Sequence, residues 1–64
     1  MEERLERFEK MLEFIQNGYM DTMSRMERLR KEGKTSSVTY KQLMANKLRF
    51  EDMLSIYRLH DLID

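Results

Sequence analysis

Lys31-Glu32-Gly33-Lys34-Thr35-Ser36-Ser37 is the stretch that decides the fold. A glycine and three small hydroxyl residues stand together there. Glycine tolerates backbone angles that other residues resist, and Ser and Thr compete with the backbone for hydrogen bonds, so such a run makes a turn rather than a helix interior. On either side the chain is rich in Leu, Met, Glu, Lys and Arg, all strong helix formers. No segment alternates apolar and polar residues for long enough to be a strand. The reading is therefore two helices joined by one turn, with a helix at about 2–31, a loop at 32–38 and a helix at 39–63.

Upstream of the turn, Leu5, Phe8, Leu12, Ile15, Tyr19, Met26 and Leu29 recur at spacings of three and four, with Met23 or Thr22 between Tyr19 and Met26. At about 100° per residue they form one apolar stripe, widened at its edge by Met11. Glu2, Glu3 and Glu6 stand near the start and Arg28, Arg30 and Lys31 at the end, as the helix dipole favours. Gly33 is placed to end the helix in the left-handed conformation. Asn17-Gly18 opposes continuity, since it is a turn-forming dipeptide and glycine costs about 1 kcal/mol inside a helix. If it broke the helix, Asp21 would cap a new one near Thr22. The apolar phase nevertheless passes through it undisturbed, which favours one helix in which Gly18 permits a close approach or a slight bend.

Downstream, Thr39 and Gln42 have the spacing of a capping box, and Val38 and Leu43 that of a hydrophobic staple. They place the start of the second helix at Tyr40, with Thr39 as its cap and its end near Ile63. One apolar stripe carries Tyr40, Leu43, Phe50, Leu54 and Tyr57. A second, nearly opposite, carries Ala45, Leu48, Ile56, Leu59 and Ile63, with Met44, Met53 and Leu62 between the two. Helices joined by a short connection fold back antiparallel. One stripe of the second helix then covers the first helix, and the other has no partner within the chain. A contiguous apolar patch of that kind is unusual on a monomer. Association of two hairpins into a four-helix bundle covers it, through Leu48, Ile56, Leu59 and Ile63. A helical segment of a different protein is the rival occupant.

Length points the same way. Sixty-four residues without cysteine leave a lone globule marginal, with no disulfide or cysteine-based metal site to reinforce it. There is no apolar run long enough to span a membrane and no signal-peptide pattern, so a cytoplasmic, membrane-independent protein is expected.

Chemistry-bearing motifs are sparse. Gly33-Lys34-Thr35 resembles the end of a phosphate-binding loop, but Arg28 stands where the first glycine belongs and no strand precedes it. His60 is the only histidine, and Tyr57 stands where a helical-bundle metal site needs Glu. Serines 24, 36, 37 and 55 have no histidine at a helical spacing, and the paired glutamates of the first helix share its polar face with Arg7 and Lys10. No enzyme, cofactor or small-molecule substrate is expected. Of the seven methionines, Met11, Met23 and Met26 are assigned to the core stripe, while Met20, with Phe14, falls outside it.

Charge sums to zero but is segregated. Residues 25–49 carry eight basic and two acidic groups, a net of +6; residues 1–24 carry three and six, and residues 50–64 one and four, each a net of −3. Folding brings both acidic segments to one end and the basic loop to the other. Two functional readings follow. The first is a regulatory or adaptor protein working through helix–helix contacts and self-association, whose charged ends align antiparallel partners. The second is RNA or DNA binding, with Arg28, Arg30, Lys31, Lys34 and Lys41 on phosphate. In length and layout the chain resembles the Rop family of small plasmid proteins, which bind paired RNA loops. No residue motif is shared, so the resemblance assigns no functional residue.

Overall fold

A computed structural model describes residues 2–60 of the chain. Two helices, α1 (Glu2–Lys31) and α2 (Val38–Leu59), pack against one another as a hairpin about 48 Å long and 20 Å wide. No strand occurs among the described residues.

α1 passes unbroken through Asn17-Gly18. Asp21 caps nothing there; its carboxylate pairs instead with Arg25 one turn on, at 3.0 Å. Phe8, Leu12, Ile15, Tyr19, Thr22, Met26 and Leu29 are the buried or half-buried stripe. Thr22 rather than Met23 takes the core position, at 5% exposure. Its hydroxyl donates to the Gly18 carbonyl at 2.8 Å, so the polar group enters the core with its bond made. Leu5, Met11 and Met23 are exposed, contrary to their assignment to the core. All three lie at the edges of the stripe, and a single facing helix covers a narrower arc than the stripe spans.

The turn is built as its residues require. Gly33 adopts φ +72°, the Lys34 amide donates to the Leu29 carbonyl at 2.8 Å and the Gly33 amide to Arg30 at 3.0 Å. These are the two bonds of a Schellman motif. α2 then starts earlier than expected. Its cap is Ser37, not Thr39: the Ser37 hydroxyl accepts from the Tyr40 amide at 3.1 Å and donates to the Lys34 carbonyl at 2.8 Å. The Lys41 amide then donates to the Ser37 carbonyl at 3.1 Å. Thr39 lies inside the first turn and Val38 is exposed, so neither the capping box nor the staple forms. Three hydroxyl residues stand before Val38, and the one already bonded to the turn captures the helix start. α2 closes at Leu59 with His60 as its C-cap; the expected continuation to Ile63 lies outside the described residues.

Leu43 and Leu54 are buried against α1, with Tyr40, Phe50 and Tyr57 half-buried beside them. The Phe50 ring sits on Gly18, where a Cβ would lie 2.7 Å from Phe50 Cζ. Tyr57 meets Phe8 edge to face at 5.4 Å.

Candidate interaction surface

Covering one stripe of α2 leaves the other in water. Leu48, Ile56 and Leu59 are 53%, 59% and 78% exposed, and Ala45 is exposed beside them. Ile63, the fourth residue assigned to this contact, lies outside the described residues, as do Asp61 and Asp64, the carboxylates near His60.

The hairpin has two broad faces, one on each side of the seam between the helices. On one, the Tyr19 hydroxyl donates across the seam to Glu51 Oε2 at 3.0 Å. That bond to the carboxylate raises the Tyr19 pKa above its ordinary value of 10.0. On the other face lies a groove of about 270 Å³ lined by Met11, Ile15, Met53, Ile56 and Tyr57. Phe14, 74% exposed, follows Met11 on the same stripe of α1. Sequence reasoning placed the contact, and the possibility of a Met-lined groove, on α2 alone; it missed that Met11 of α1 forms the facing wall across from Met53. Their signal was the edge position each occupies on its helix, which becomes a groove only when two edges meet.

Closer to the loop, a second cleft of about 330 Å³ has Leu29 and Leu43 as its floor and Arg25, Arg28 and Thr39 at its rim. The basic residues of the loop end are not equivalent. Arg30 pairs with Glu27 at 3.3 Å, and Lys34 with Glu32 at 3.3 Å. Arg28, Lys31 and Lys41 make no ion pair among the described residues. Of five candidate phosphate-binding side chains, three therefore stand free and two are already shared with a carboxylate.

Among the described residues no group of His, Cys, Asp or Glu has the arrangement of a metal site, and no helix is long and apolar enough to cross a membrane. No protein-family model, curated protein or solved structure matches the chain.

Proposed function

We propose that this chain is a small non-enzymatic regulatory or adaptor protein that acts through helix–helix contacts and self-association. One observation carries the reading: the hairpin exposes more apolar side chains than it buries. Among the described residues Ile15, Met26, Leu43 and Leu54 are the buried apolar ones, whereas ten large apolar residues are exposed. Its accessible surface of 5555 Å² exceeds the roughly 4400 Å² of a compact monomer of this mass. Apolar surface on that scale favours a helical partner, and a second copy is the partner always present. Sedimentation equilibrium at rising concentration should give a dimer. A wild-type monomer at high micromolar concentration sinks the self-association.

A second reading, RNA or DNA binding at the loop end, draws on Arg28, Lys31 and Lys41, which carry uncompensated charge there. Retention on duplex RNA or DNA that falls steeply with salt and vanishes in Lys31→Gln/Lys41→Gln supports it. No retention at low salt removes it.

A further inference from the structure

The two broad faces differ in a way that decides which of them a second copy can occupy. The face marked by Tyr19 and Glu51 continues along α1 through Leu5, Leu12 and Met23, and along α2 through Met44 and Leu48, at helical spacings of three, four and seven. Leu5, Met23 and Leu48 are exposed, and Leu12 and Met44 half-buried, so apolar surface runs nearly the full length of the hairpin. The opposite face concentrates Met11, Phe14, Met53 and Ile56 in the half away from the loop.

Charge separates the faces further. On the Tyr19 face, the half away from the loop carries Glu2, Glu9 and Glu51 against Arg58, a net of −2. Its loop half carries Arg30, Lys41 and Lys47 against Glu27, a net of +2. A two-fold axis perpendicular to the hairpin lays −2 on +2 at both ends. On the opposite face, the half away from the loop carries Arg4, Arg7 and Lys10 against Glu3, a net of +2. The loop half carries Arg25, Arg28 and Arg49 against Asp21, a net of +2, and has no acidic half to meet in a second copy.

We propose that a second copy of this chain packs antiparallel against the Tyr19 face, with Met23 of α1 and Leu48 of α2 in its apolar core. The proposal rests on the self-association reading and narrows it. The contact is made by both helices rather than by the outer stripe of α2, and it places four helices around one core instead of in a row. Leu48 belongs to this contact; Ile56, which lines the opposite groove, does not.

The test combines sedimentation equilibrium with one distance. Met23→Glu and Leu48→Glu should each weaken dimerisation about tenfold or more, by setting a charge in that apolar core, with helix content unchanged. Phe14→Glu and Ile56→Asp should leave the dimer constant within about twofold. The chain has no cysteine, so a single spin label at Ser36→Cys reads loop-to-loop separation in an otherwise wild-type protein. An antiparallel pair holds the labels near the 48 Å length of the hairpin, and a parallel pair holds them near its 20 Å width. A dimer that survives Met23→Glu but is lost in Ile56→Asp, or that brings the labels close together, overturns this face while leaving self-association intact. A monomer at every concentration overturns both, leaving the face to a different protein.

Discussion

At Gly18 two opposing effects meet in one residue. Alanine there would gain about 1 kcal/mol of helix propensity. It would also place a methyl group 2.7 Å from Phe50 Cζ, and overpacking of that kind costs about 1–3 kcal/mol. Gly18→Ala should therefore be about 1 kcal/mol less stable than wild type, and the same change made in Phe50→Leu should be stabilising. Chemical unfolding of the four proteins of that cycle checks the sign; equal effects in both backgrounds would show that the ring yields freely. Tyr19 supplies a pH signature. Its folded-state pKa is raised by Glu51, so the bond contributes below pH 10.0, the ordinary phenol value, and is lost as pH climbs through the raised value. The stability gap between wild type and Tyr19→Phe should thus be open at neutral pH and close in strong alkali. A gap unchanged across that range would mean that the bond to Glu51 is not what separates them.

The helices show how competing local signals are resolved. Thr39 with Gln42 satisfied the spacing of a capping box, yet Ser37 holds the position because its hydroxyl joins the loop and the helix in one place. Ser37→Ala should cost about 1 kcal/mol, the usual loss of an N-cap, and Thr39→Ala a few tenths at most. Thermal unfolding of both distinguishes them, and a larger loss in Thr39→Ala would move the cap back. The Gly33 turn and the continuity of α1 were legible beforehand, since each rests on residues adjacent in sequence. The choice among neighbouring hydroxyls was not, because it depends on where the preceding turn leaves the chain.

For the whole molecule, the thin core sets the behaviour. A single hairpin of this length, with four apolar side chains buried among the described residues, supplies little stability alone. If assembly completes the core, the melting temperature must rise with protein concentration, because association draws the folded state forward. Melting followed over a hundredfold range of concentration tests this; a constant midpoint would show that one hairpin suffices. Segregated charge adds a second dependence, since antiparallel pairs weaken as salt screens their ends.

The sequence by itself determined the two helices, their antiparallel packing, the stripe of α2 that faces α1 and the separation of charge along the hairpin. Each follows from helical periodicity or from residues close together in the chain. Only the tertiary structure decided which edges of the stripes stay wet, that Thr22 rather than Met23 enters the core, and that exposed apolar residues of both helices gather into two unlike faces. Those outcomes depend on how wide an arc one helix covers on another and on which edge residues the packing brings side by side. Spacing along a single helix contains neither.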